Sequence, residues 1–548
     1  MEKKIVIISY FILAALFLLT KAMQGFSYLD IGMYMSGYEY FNKDPISIYY
    51  VGQWLMSFEF SGWIMKFFSL ESYYGLRVMR VVLMISMEII IYLYLRHYIP
   101  KRYIILGLAF ATIAQQESYA EINYNDYSAF FLCLSLLLFH RGVVSKRDSL
   151  RPFFLSGLVI GLSIFFRMTN LSFLIMPLCA MIILPLLSCR NPPLRILPIF
   201  YSGVTIGLAA ILLVIYVSGK WNVLIMTITD LFSIGGRGDD PHHLKYVFFS
   251  LYEIYKHEIQ AGAIILFLTA TYAVLHSRFK AKEARTVLFI GFAFFVWLNV
   301  YFWEHISDVI VGYSWIVLLC LIAIPSFRRG PVGLFAIAFL FPLLLPIGTN
   351  GGSAFIGQNL VFLPLPIALY ITALQVKAQQ NRYVTTFRRL PSILSCCLIV
   401  AFLYTDIKRP MLEEECRLAC RYPIDSPIAR HIFTTKENAN HINYLIHQLK
   451  GKYLRDNEYL FCNFNIPIIS LLGCKPYGVF STVFTSTYMS THYMKIAEDH
   501  LHTLPYLLIE TSNRSEKDHE LVEYLKSRSE YKCIWTDGHH ELLKPIMH

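Results

Sequence analysis

The amino-acid sequence predicts an all-α polytopic membrane protein of about thirteen transmembrane helices, followed by a small extracytoplasmic α/β domain. Three observations carry that prediction. Of the 548 residues 56% are hydrophobic and only 16% charged, with a mean hydropathy of +0.50, which excludes an ordinary soluble protein. Apolar runs of the ~20 residues needed to cross a bilayer recur as far as residue 405. From 406 onward the density of charged residues about doubles, with 17 Lys+Arg against 18 Asp+Glu. The domain division expected is therefore 1–405 and 406–548.

The apolar runs lie near 5–23, 75–97, 103–118, 126–140, 152–167, 170–188, 196–217, 261–276, 286–303, 308–325, 331–347, 358–375 and 391–405. The first is read as a retained span, because no small-x-small cleavage site follows it and an amphipathic stretch begins at once. Residues 1–405 carry 31 Lys+Arg against 19 Asp+Glu, so the formal charge of +11 lies wholly among the spans. Charge so distributed is a topology signal, and no nucleic-acid partner is expected. Placing Lys3 and Lys4 in the cytoplasm puts 21 of those 31 basic residues inside, among them Arg96, Arg141, Arg151 and Arg195, as the positive-inside bias requires. An odd span count then leaves the tail outside. In the tail, YLFCNFN, PYLLIE and YKCIWTD read as strands, with SEKDHELVEYLKSR an amphipathic helix between two of them. Of the 11 cysteines, those in the tail admit one or two disulfides if it faces an oxidising space.

Candidate site residues gather in the outer loops. Asp30 stands directly after the first span, in YLDIGMYMSGYEYFNKDP. A carboxylate at the hydrocarbon edge is costly and usually functional, although Asp is also a common helix N-cap. Helical spacing puts Asp30, Tyr34, Tyr38 and Phe41 along one stripe. A second aromatic segment, 46–68, is interrupted by Gln53, Glu59 and Lys66 and reads as lying in the interface, which makes surface helices of about 30–68. The second outer loop, QQESYAEINYNDYSAFF, holds Glu117, Glu121 and Asp126 without a basic residue. Arg167 stands at the outer end of the fifth span, where a cation needs an anion and a lipid phosphate is a natural one; snorkelling to headgroups is the alternative. The loop GGRGDDPHHLKY, 235–246, reads as gating the acceptor, with Arg237 or Lys245 reaching phosphate. Its acids and histidines lack a recognisable metal-ligand spacing, so the metal ligands stay unknown. The loop GTNGG, 348–352, is an ordinary tight turn or a backbone phosphate contact.

An Asp just past span one, a D-x-x-x-Y surface helix, a second surface helix and YYGLRVMR opening span two form a layout that resembles the GT-C glycosyltransferases. Most similar are the protein O-mannosyltransferase and aminoarabinose-transferase branch and uncharacterised bacterial relatives. RPFFLSGLVIGLSIFFRMTNLSFLIMPL is similar to the family's G-L-x-x-G-L span, and the resemblance covers roughly residues 1–190. It departs between the surface helices, where many relatives carry Lys-Pro-Pro and this chain reads KDPISIYY.

The resemblance implies transfer of a sugar from a polyprenyl-phosphate donor to a glycan, lipid or protein acceptor, on the outer face of a bacterial cytoplasmic (inner) membrane. Such transfer needs a general base within about 3 Å of the acceptor's proton. It also needs positive charge at the leaving phosphate and a groove open to membrane lipids. Asp30 is implied as the base and Asp126, with Glu121 as the alternative, as the second acidic residue near the donor. Asp30 and Asp126 are thus the expected catalytic residues, and Tyr34, Glu121, Arg167, Arg237 and Lys245 the expected substrate contacts. The one cofactor the resemblance admits is a divalent cation at the second acidic position. Rival readings are a polysaccharide polymerase or ligase, which relies on paired basic outer loops, and a lipid-glycan flippase or transporter. The latter needs ionisable residues at mid-span, of which Glu88 is the chief one.

Overall fold

The structure is a computed structural model describing residues 2–26, 30–114, 120–145, 150–186, 194–235, 362–367, 369–370, 416–478, 487–511 and 516–546. Among them, α1 (Glu2–Ala22), α4 (Tyr73–Leu95), α6 (Tyr124–Val144) and α9 (Ile196–Val217) are each long and apolar enough to cross a membrane. Shorter apolar helices accompany them: α5 (Lys101–Ala114), α7 (Arg151–Ser163) and α8 (Met176–Leu186). The expected single span at 170–188 is divided into a 3₁₀ turn, Met168–Ile175, and α8. Pro177, at the second position of α8, has no N–H to give a continuous helix, and the Asn170 amide is drawn back to the Ser163 carbonyl at 3.0 Å. Spans expected from 261 onward lie outside the described residues, apart from a short piece at 362–370.

Local signals start the helices. The Ser72 hydroxyl accepts the Gly75 N–H at 3.0 Å to cap α4, and Asn123 with Asp126 forms a capping box at the head of α6. Packing along the bundle is closest between α7 and α9. Gly157 and Gly161 face Gly203 and Gly207, and a Cβ on any of the four would run into a backbone carbonyl of the other helix. Two small-xxx-small motifs thus let the backbones touch, which is how apolar helices associate where lipid removes the hydrophobic drive. Glu88, deep in α4, accepts hydrogen bonds from Tyr10 at 2.9 Å and Thr112 at 2.5 Å, so both of its oxygens are satisfied.

At the end of the bundle where α1 finishes, α2 (Asp30–Tyr40), a 3₁₀ turn (Tyr49–Trp54), α3 (Leu55–Phe68) and α10 (Trp221–Gly235) form a layer. α3 buries Phe58, Ser61 and Met65 while Phe67 is 81% exposed, the division expected of a helix at a lipid surface.

The tail is built on a five-stranded sheet ordered β4-β3-β5-β7-β6. Its strands are β3 (Tyr459–Cys462), β4 (Lys475–Pro476), β5 (Tyr506–Glu510), β6 (Tyr531–Thr536) and β7 (His540–Pro545), after a short β1 (Tyr422–Pro423) and β2 (Phe433–Thr434) pair. β3 runs parallel to β4 and β5, whereas β7 is antiparallel to β5 and β6. Helices α11 (Lys436–Leu449), α12 (Pro467–Leu472), α13 (Thr487–Leu501) and α14 (Glu516–Arg528) complete it. Among the described residues, no disulfide joins Cys474 or Cys533 to another cysteine.

The tail rests on the same end of the bundle. Gly25 N–H donates to Phe433 O at 2.9 Å and Phe433 N–H to Met23 O at 2.8 Å. α12 lies so close to α2 that a Cβ on Gly32 would strike Ile466 and Pro467, and the hydroxyls of Ser36 and Ser470 meet at 2.8 Å. One apolar core runs from Tyr34 and Phe58 through Ile468 to Leu508.

Candidate active site

α2 begins at Asp30 and reaches Tyr34 one turn later. Tyr34 is buried, with its ring 6.1 Å from Tyr38, 6.4 Å from Phe58 and 6.2 Å from Tyr124. Trp54 stacks on Tyr124 at 4.5 Å with the planes 5° apart. The Tyr38 hydroxyl donates to Ile122 O at 2.7 Å, and Ser61 pairs with the Tyr127 hydroxyl at 2.7 Å. α2, α3 and the head of α6 therefore share one aromatic layer.

The end of α7 is fastened to the same layer. Met56 N–H donates to Phe165 O at 2.9 Å and the Ser57 hydroxyl to Phe166 O at 2.7 Å. The next residue is Arg167, which is buried and carries its guanidinium 5.7 Å from the Tyr124 ring, a cation–π distance. Tyr34 and Arg167, predicted separately, thus meet at Tyr124, two residues before Asp126.

Two of the three acids of the second loop, Glu121 and Asp126, are met by two arginines of α4. Spacing of three places Arg77 and Arg80 on one face of that helix. Arg80 Nε donates to both Asp126 oxygens, at 3.1 and 3.2 Å, and Asn123 N–H donates to one of them at 2.9 Å. Arg77 pairs with Glu121 at 2.5 Å and also donates to the carbonyls of Ala22, Gln24 and Gly25, at 3.1, 3.2 and 2.8 Å. Both side chains of that pair are fully buried. Arg77 therefore ties the second loop to the link between α1 and α2. Sequence reasoning passed over both arginines; the available signal was two Arg at the outer end of span two and acids in the next outer loop.

The far end of α2 has its own clamp. Lys220, between α9 and α10, donates to Phe41 O at 3.1 Å and Asn42 O at 3.2 Å, a cation just past the C-terminus of a helix, where the dipole favours it. Burial pushes the Lys220 ammonium below its ordinary pKa, which the charges of Glu59 and Asp44 partly offset. Burial likewise pushes the Glu59 carboxyl up, against the charge of Lys220.

The Asp30 side chain, Arg237 and Lys245 lie outside the described residues, as do the rest of the 236–246 loop and GTNGG. Among the described residues no group of three His, Cys, Asp or Glu side chains gathers at metal-binding distance.

No protein-family model matches the chain, and no curated protein matches its sequence. In structure it is similar to the oligosaccharyltransferase of Archaeoglobus fulgidus in its apo form, with a TM-score of 0.51 and 11% identity over 98% of this chain and 74% of that one. At that identity the likeness concerns the fold, not the particular branch. The chain, with its apolar helices and its terminal sheet, shares its overall fold with that oligosaccharyltransferase.

Proposed function

We propose that the chain transfers a sugar from a polyprenyl-phosphate donor to a glycan, lipid or protein acceptor on the outer face of a bacterial cytoplasmic membrane, with Asp30 as general base. The observation that carries this reading is the meeting of Tyr34 and Arg167 at Tyr124, two residues before Asp126, at the end of the bundle where α2 begins. The lipid-facing aromatic edge of α3 beside them supports a donor that arrives from the bilayer. The fold shared with a protein named an oligosaccharyltransferase supports sugar transfer as the chemistry. In this reading some thirteen spans and residues 406–548 complete the enzyme, with the tail extracytoplasmic.

Asp30 takes the proton from the acceptor hydroxyl while that oxygen bonds to the anomeric carbon. The bond from that carbon to the donor phosphate oxygen breaks, and Arg167 offsets the charge left on the phosphate. Arg237 and Lys245 approach the same phosphate from their loop. Asp126, engaged by Arg80 and the Asn123 N–H, acts as a positioning residue that holds Tyr124 in place. Glu121 does the same for the α1–α2 link through Arg77.

Asp30→Asn is nearly isosteric and keeps an oxygen able to cap α2, so insertion and folding survive. It removes the basicity on which transfer depends, and the rate falls by roughly 10²–10⁴-fold. Transfer assays on purified, correctly inserted variant check this, and a wild-type rate removes Asp30 as the base.

A further inference from the structure

His441 on α11 and His540 at the start of β7 bring their Nε2 atoms to 3.4 Å from each other. That is long for a nitrogen-donated hydrogen bond, which usually closes to about 2.7–3.2 Å. It does match the separation of two imidazole ligands on one tetrahedral ion. With metal–nitrogen lengths of roughly 2.0–2.1 Å, two such ligands stand about 3.4 Å apart. We propose that His441 and His540 form a two-histidine clamp for a divalent transition-metal ion, zinc being the natural occupant, with water or an incoming ligand in the remaining positions.

The surroundings of the pair are those of a metal-binding histidine. Asp537 Oδ2 lies 3.1 Å from His540 Nδ1. Its other oxygen accepts the backbone N–H groups of His539 and His540 at 2.9 and 2.7 Å, so the carboxylate is fixed. A proton held on Nδ1 leaves the Nε2 lone pair free for a metal, and a carboxylate behind the ring is the usual outer partner of such a ligand. The Phe464 ring lies 6.4 Å from His441 and 4.9 Å from His540, giving the site an apolar wall. Negative charge suited to a dication comes from Asp537, from Glu510 directly across the β5–β7 register, and from Glu437 one turn before His441. His540 is buried and His441 half-buried, which leaves a way in from the His441 side.

No third donor converges with these two among the described residues, so the clamp is open-sided. A bound ion would tie α11 to the strand and turn carrying His540 and Asp537. Nothing in this proposal depends on the transfer chemistry.

The test is titration of the full-length protein, purified in detergent without a histidine tag, with Co²⁺. The expected result is the ligand-field absorption of tetrahedral cobalt, saturating at a single ion per chain and displaced by Zn²⁺, together with a Zn²⁺-dependent rise in thermal midpoint. His441→Gln should weaken Co²⁺ binding at least tenfold, whereas His539→Ala, beside the pair and exposed, should leave it unchanged. Absence of the tetrahedral band in the unmodified protein overturns the proposal. So does a band of equal strength in folded His441→Gln, which would leave the pair as stacked imidazoles only.

Discussion

The seam between α7 and α9 and the layer beneath the tail hold helices together in opposite ways. In the seam, four glycines bring backbone against backbone. Beneath the tail, helices are joined through buried arginines, carboxylates and stacked aromatic rings. The first mode suits lipid surroundings, where close backbone approach is what remains to drive association. The second involves charges that cost free energy to bury and that stay only while their partners are in place. One region therefore holds shape alone, while the other also holds groups able to meet a substrate.

Substitutions at three places test that contrast. Arg77→Met should have the largest effect, because it strands Glu121 as a buried charge and frees three carbonyls. Breaking such a pair costs about 3–5 kcal/mol, read as a lowered thermal midpoint in detergent. The double change Arg77→Met with Glu121→Leu should recover part of that loss, and no recovery would show that the carbonyl contacts dominate. Arg167→Ala comes next, at about 1.5–3 kcal/mol for a charge-assisted contact. Here the reading is a donor KM raised some tenfold to a hundredfold with folding unchanged. An unaltered KM would assign Arg167 to the cation–π contact with Tyr124 alone.

The smallest effect is expected in the seam. Gly203→Ala puts a methyl against Phe154 O and should cost about 1–3 kcal/mol of stability. Transfer rate per folded molecule should stay at the wild-type value. A reduced rate per folded molecule would erase the distinction between the two regions.

The long spans are legible in sequence because apolar length is a local property set by the bilayer. α1, α4, α6 and α9 fall within four residues of the runs at 5–23, 75–97, 126–140 and 196–217. Three tail strands and α14 are legible for a similar reason, since their periodicity is contained in a few residues. β7 is not, because HELLKP becomes a strand by lying between β5 and β6. The pairings Arg77–Glu121 and Arg80–Asp126 join residues 44 and 46 positions apart, and no period in either segment encodes them. Nor does the surface-helix reading of about 30–68 disclose that α2 lies covered, with Ser36 against Ser470 on one side and Tyr38 against Phe58 on another.

The contact between Ser36 and Ser470 spans 434 residues of chain, and this separation has a consequence in time. At a synthesis rate of about 5–20 residues per second, α2 emerges roughly 20–90 s before the helix that will cover it. During that interval its Gly32 and Ser36 face has no partner from the tail, while the stripe of Tyr34, Tyr38 and Phe41 can already settle on α3 and α6. Maturation of the site is thus delayed until the last quarter of the chain has been made. Until then the nascent protein is membrane-inserted with one face of α2 still uncovered.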